Sequence, residues 1–313
     1  MRRLFLLAAL VTIVAALLAT ETASGSTRTS ARTPTPITRL TFGYDAAAPL
    51  GYVDRGRINP SPEPLAVHDV SFRAGGGRVP AYLVVPAGAR HRPAVVLVPG
   101  DGGTRSQLLP EARWLAARNV VTLSITPPST NVRATPTTGA ALLAQARKLT
   151  VGDVVAVRRA VDLLQSLPAV DSSRIGYLGW SLGGKTGTYV AAEEPRVKAL
   201  VLLSAGADRL SAFVASAPVD LRPQVRRVLG SVDPIRYIGW ARSGSVLLED
   251  GTKDEVVPRT ALLNIARAAP AGTTVRWYDA PHALDRAAYR AAFAWLAAKL
   301  PIDGPPVAGA ATA

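Results

Sequence analysis

GWSLGGKT, residues Gly179–Thr186, satisfies two unrelated patterns within eight positions. Gly179-x-Ser181-x-Gly183 would put a serine on a sharp turn between a strand and a helix, with glycines where the chain must double back. Gly179-x4-Gly184-Lys185-Thr186 meets the requirements of a phosphate-cradling loop, with Lys185 on the phosphates and Thr186 on magnesium. Both patterns belong between a strand and a helix, so the immediate flanks do not choose. Chain order, and the partners each chemistry needs, must decide.

Working outward, RIGYLGW reads as the strand entering the motif and VKALVLLS as the strand after the helix that follows it. Upstream, VHDVSFRAGGGRVPAYLVVPAG reads as two antiparallel strands joined by a glycine-rich turn. PAVVLVPGDGG is a buried strand ending in a glycine-rich loop, QLLPEARWLAARN a helix and VVTLSI the next strand. Residues 151–166 form an amphipathic helix with Val154, Val157, Val161 and Leu164 on one face. Downstream come SVLLEDG, a helix at PRTALLNIARAA, the strand TTVRWYDA and a closing helix. Strands alternating with helices predict one α/β domain built on a mostly parallel sheet of about eight strands. The motif then follows roughly the fifth strand. The less regular residues 205–242, after the sixth strand, are placed for a small cap.

That order separates the two chemistries. A serine hydroxyl becomes an effective nucleophile when a histidine takes its proton and a carboxylate holds the imidazole. On this kind of elbow the partners follow as acid, then histidine, on loops after later strands. The chain has three histidines. His68 and His91 precede Ser181, whereas His282 in YDAPHAL directly follows the last predicted strand. The acid is expected in EDGTKDEVVP: Asp254 is the choice, Asp250 the second candidate and Asp208 a distant third, with Glu249 and Glu255 nearby. An oxyanion would be met by the backbone amides of Leu182 and of Asp101 in PGDGG. Trp180, Gly102, Phe213, Tyr237 and Trp240 are candidate pocket residues. The phosphate-loop alternative has an acid available in VLLED, but about four strands precede it and it leaves His282 without a role.

Composition narrows the classes further. The chain has 313 residues, no cysteine and a net charge of +14, carried by 31 arginines and five lysines that are scattered rather than striped. Disulfides and a cysteine nucleophile are excluded, and no nucleic-acid footprint is visible. A loose attraction to an anionic cell envelope or membrane is compatible with the charge. Arg2-Arg3 followed by the apolar run Leu4–Ala19 reads as an export signal over residues 1–25, with an uncleaved anchor as the alternative; the run is slightly short for a span. Thr, Ser and Pro dominate residues 26–38, a flexible linker. The α/β domain is expected over 39–301 and a disordered tail over 302–313. A secreted or extracytoplasmic location follows from the leader.

The segments YDAAAPL, VHDVSFRAGGGRVPAYLVVPAG, GYLGWSLGG, DPIRYIGWA, EDGTKDEVVP and YDAPHALDRAAYRAAFAWL together resemble the α/β-hydrolases of the dienelactone hydrolase-like type, relatives of acetyl esterases. The resemblance spans about residues 40–300. It implies an α/β-hydrolase fold and a Ser181–Asp254–His282 triad with no metal or organic cofactor. It further implies a small-molecule ester substrate and a carboxylesterase activity. Two departures stand out. Dienelactone hydrolases proper carry cysteine where this chain has Ser181, and many esterase relatives carry His-Gly where it has Pro99-Gly100. Asp101 is expected to turn its carboxylate away from the oxyanion. A peptidase related to prolyl oligopeptidases is the nearest alternative, although the chain has no room for a propeller. A catalytically silent envelope protein that keeps the fold is the alternative of another class.

Overall fold

Strands that are buried on both faces need apolar residues at successive positions, and the centre of this chain supplies them. The computed structural model describes residues 39–59, 64–131, 139–302 and 307. An antiparallel meander of β1 (Val53–Arg57), β2 (Leu65–Ala74) and β3 (Gly77–Pro86) leads into β4 (Arg92–Val98) and β5 (Val121–Ile125). β6 (Val170–Trp180), β7 (Val197–Leu203), β8 (Val246–Gly251) and β9 (Thr274–Tyr278) complete one nine-stranded sheet in the order β1-β2-β3-β5-β4-β6-β7-β8-β9. From β5 to β9 every pairing is parallel.

Side chains alternate across this sheet and feed two cores. Val96, Val98, Tyr177 and Leu202 pack beneath α2 (Gly139–Ser166), whose Val157, Ala160, Val161 and Leu164 are buried. Val95, Leu97, Leu178 and Val201 face the other way, against α1 (Leu109–Ala116) and the C-terminal helix with its Phe293 and Leu296. Between β6 and β7 runs α3 (Leu182–Glu193). Three short helices, α4 (Leu210–Ser216), α5 (Arg222–Ser231) and α6 (Pro234–Ile238), lie between β7 and β8. α7 (Arg259–Ala268) precedes β9, and α8 (Arg286–Lys299) closes the order. No helix among the described residues is long and apolar enough to cross a membrane.

Two elements differ from the sequence reading. β1 is an additional strand, so the elbow follows the sixth strand and the cap region the seventh. Its sequence, VDRGR, is largely exposed and carries no apolar alternation to announce it. α2 begins at Gly139, twelve residues earlier than the helix expected over 151–166. Gly152, which costs a helix interior about 1 kcal/mol relative to alanine, reads as a break. Here it lies against Pro128 of a 3₁₀ turn, with ordinary contact available at 3.7 Å even to a Cβ. The leader expected over 1–25 and the linker over 26–38 lie outside the described residues, as does most of the tail. Val307 is described, and its amide donates to the carbonyl of Ala117.

The described chain starts with a strap. Phe42 is fully buried, its ring 5.4 Å from that of Tyr189 on α3 and 5.3 Å from that of Tyr237 on α6. The Tyr237 hydroxyl donates to the Leu40 carbonyl, and Arg39 pairs with Glu193 while stacking on Trp240. Truncating a fully buried ring costs about 3–5 kcal/mol. Phe42→Ala is therefore expected to lower the unfolding free energy by about that amount in urea titration.

Candidate active site

The turn at 179–184 works because three side chains are missing. A Cβ on Gly179 would lie 2.3 Å from the Gly183 carbonyl oxygen, and one on Gly183 would lie 2.2 Å from that of Val98. One on Gly184 would meet the Leu203 oxygen at 2.8 Å. Helix α3 is thus pressed against the ends of β4, β6 and β7 more closely than any side chain permits. Ser181, at the bend, has φ 56° and ψ −113°, a region that costs a non-glycine residue about 1–3 kcal/mol. The Ser181 amide donates to Leu203 O, its carbonyl accepts from Lys185 N, and Tyr177 Oη donates to Gly183 O. The strained serine is held from all sides.

His282 arrives from the loop after β9. Its Nε2 lies 2.9 Å from Ser181 Oγ and its Nδ1 2.8 Å from Asp254 Oδ2. Asp254 Oδ1 accepts from the amides of Val256 and Val257, which fixes the carboxylate's plane. Burial pushes Asp254 up, but the hydrogen bond to His282 and those two amides outweigh it and hold the group below its ordinary value. An ionised carboxylate at Nδ1 keeps the proton there and leaves Nε2 to accept from the serine hydroxyl.

Sequence reasoning missed what holds the histidine itself. Its carbonyl accepts from Ser204 Oγ at 2.8 Å and from Trp180 Nε1 at 3.0 Å, while its amide donates to Glu255. Ser204 is buried at the end of β7 with φ 50°, a backbone state unusual for serine. Nothing in a lone serine at a strand end announces this role. Gly251 does the same for the loop's backbone, since a Cβ there would lie 2.3 Å from Ala280 O.

A cavity of about 470 Å³ opens beside Ser181. Leu182, Asp101 and Phe213 lie on its wall, together with residues of α2, α3, α5 and α7. Leu182 is the first residue of α3, so its amide has no acceptor within the helix. The Asp101 loop sits hard against the elbow: a Cβ on Gly100 would meet the Trp180 ring at 2.9 Å and Ser181 Cβ at 3.3 Å. The other expected pocket residues are elsewhere. Trp180 packs beside His282, with ring centroids 5.2 Å apart. Gly102 forms a turn with φ 66°, Tyr237 is buried in the aromatic cluster around Phe42, and Trp240 is a surface ring under Arg39.

The second half of the opening motif also faces this cavity. Lys185 lines it, with Asp153 and Asp208. Burial pushes the Lys185 ammonium down, and the charges of Asp101, Asp153 and Asp208 pull it back up. Burial raises Asp153 to about 6, against hydrogen bonds from Ser129 and the charge of Lys185. The Asp101 carboxylate is close enough to act on both. A phosphate here would face three carboxylates, an arrangement opposed to a nucleotide loop. Asp250 and Glu249, the alternative acids, are buried in β8 and do not reach His282. Burial and the neighbouring charge of Asp254 push Asp250 up to about 7, and burial likewise raises Glu249 to about 7.

The dienelactone hydrolase family model matches residues 79–206, and the model for the C-terminal part of BAAT and acyl-CoA thioester hydrolases matches residues 157–260. Among solved structures, acetyl xylan esterase 1 from Thermoanaerobacterium sp. JW/SL YS485 superposes with a TM-score of 0.67 at 18% identity, covering 83% of this chain and 90% of its own. Acetyl xylan esterase from Paenibacillus sp. R4 gives 0.66 at 20% identity, over 80% and 90%. A cold-adapted esterase from an Arctic intertidal metagenomic library gives 0.59 at 16%, over 78% and 97%. No curated protein matches the chain in sequence. Sheet order, elbow and the two family-model matches describe an α/β-hydrolase-like fold, the fold of these esterases.

Two outcomes follow from the geometry. Gly183→Ala is expected to lower the melting midpoint by several degrees, whereas Gly43→Ala, with open space around it, leaves it unchanged. Asp250 stays protonated in the fold at pH 5 and ionises near 7, while unfolded it is already ionised at pH 5. Its raised folded value therefore makes stability fall from pH 5 to 8. Asp250→Asn should gain about 2 kcal/mol on the wild type across that interval in denaturant titrations at the two pH values.

Proposed function

We propose that this chain is an exported serine hydrolase, a carboxylesterase for small or medium acyl esters. The observation that carries the reading is the unbroken relay from Ser181 Oγ through His282 to Asp254, at 2.9 and 2.8 Å, opening on the cavity. An ester carbonyl seated there is attacked by Ser181 Oγ as His282 Nε2 takes the hydroxyl proton. The tetrahedral oxygen is met by the amides of Leu182 and Asp101. His282 returns the proton to the departing alcohol, and water, activated by the same imidazole, releases the acid from the acyl-enzyme. Asp254 holds the tautomer and balances the imidazolium.

The ester class is supported by the three solved esterases that share the fold, and the cavity volume suits a small or medium acyl ester. Export rests on the basic and apolar leader of residues 1–25. The Trp180 and Ser204 hydrogen bonds to His282 O serve to position the base.

A fluorophosphonate probe is expected to label the wild type at Ser181, with no label on His282→Ala. Ser181→Ala and His282→Ala should each lower kcat on p-nitrophenyl acetate by about 10⁴-fold or more, and Asp254→Asn by roughly 10⁴-fold through the wrong tautomer. Full labelling of His282→Ala would overturn the reading.

A further inference from the structure

Lys185 is an odd residue for its position. It stands in the first turns of α3, where the helix dipole disfavours a cation, and it faces a cavity where desolvation does too. An ammonium carries three donors and no acceptor. Among the described residues no hydrogen bond or ion pair uses them, and Asp101, Asp153 and Asp208 act on it only as nearby charges. One side of Asp153 is already committed, since its Oδ1 accepts from the Ser129 amide at 3.0 Å. Lys185 lies four positions after Ser181, a rise of about 6 Å along the helix, so whatever it binds lies within one substrate's length of the reacting carbonyl.

The balance of charges says what kind of group that is. A carboxylate or phosphate would gain Lys185 but oppose Asp153 and Asp208, and an ammonium would bring no acceptor to the three unused donors of Lys185. A neutral hydroxyl accepts from Lys185 and donates its one proton to a carboxylate, and meets neither repulsion. We propose that Lys185, with Asp153 and Asp208, forms a polar subsite that selects esters bearing a neutral hydroxyl on the group seated in the cavity. This rests on the reading of Ser181 as nucleophile, which aligns the substrate along α3.

The test compares kcat/KM for two matched pairs, glyceryl monobutyrate against propyl butyrate and methyl 3-hydroxybutyrate against methyl butyrate, with monomethyl succinate as the anionic control. A hydrogen bond to a charged donor predicts a preference on the order of tenfold for the hydroxylated member of at least one pair, and the poorest rate for the succinate. In Lys185→Met that ratio should fall to within about threefold of unity. Lys185→Gln, which keeps a neutral donor, should retain part of it, and carries the test if the Met variant does not fold. Equilibrium binding of the same esters to Ser181→Ala reads the subsite without turnover. Turnover without preference, preference that survives Lys185→Met, or a preference for the succinate overturns the subsite. Selective binding by Ser181→Ala with no turnover by the wild type supports the subsite and overturns the hydrolase reading instead.

Discussion

The close approach of α3 to the ends of β4, β6 and β7 sets the terms for everything around it. Gly179, Gly183 and Gly184 leave no room for a side chain, so the helix starts within a residue of the strand's end. A serine placed there has no relaxed conformation available, and it points its hydroxyl out of the sheet. The loops after β4, β8 and β9 then need only reach the same sheet edge. Parallel strands guarantee that, because their C-terminal ends share it.

Much of this was legible in the sequence, for definite physical reasons. Central strands such as VVLV and ALVLL are apolar at every position because both faces are covered. Only one histidine follows the elbow, so its partner in space was fixed by counting. β1 was not legible, since an exposed edge strand needs no apolar pattern, and the start of α2 was hidden behind Gly152. The pocket was the least legible part. Tyr237 and Trp240 look like pocket aromatics in a list, but one fills the core beneath the strap and the other stacks on an arginine at the surface. Which side of a short helix faces a cavity depends on how α4, α5 and α6 pack, and helices of five to ten residues carry too few turns to show it.

The double reading of GWSLGGKT has a physical root. Both a nucleophile elbow and a phosphate loop exploit the same object, a helix N-terminus brought close by glycines. The difference lies in what surrounds it. Here the sixth strand, not the first, feeds the turn, and carboxylates from the β4 loop and α2 occupy the space where a nucleotide would bring negative charge. Lys185 faces a cavity instead, and the complement proposed for it is a neutral oxygen.

The aromatic strap at the beginning of the described chain bears on how the molecule assembles. The hydrogen bond from Tyr237 to Leu40 spans 197 residues, and Phe42 finds its other partner, Tyr189, on the helix that carries the nucleophile. Before α3 and α6 exist, this segment has Val154 and Arg158 of α2 to meet, but the Phe42 ring has no aromatic partner. Contacts of such sequence separation are slow to form, because the loop they close is long. The strap can accordingly close fully only after the chain has run on through α6.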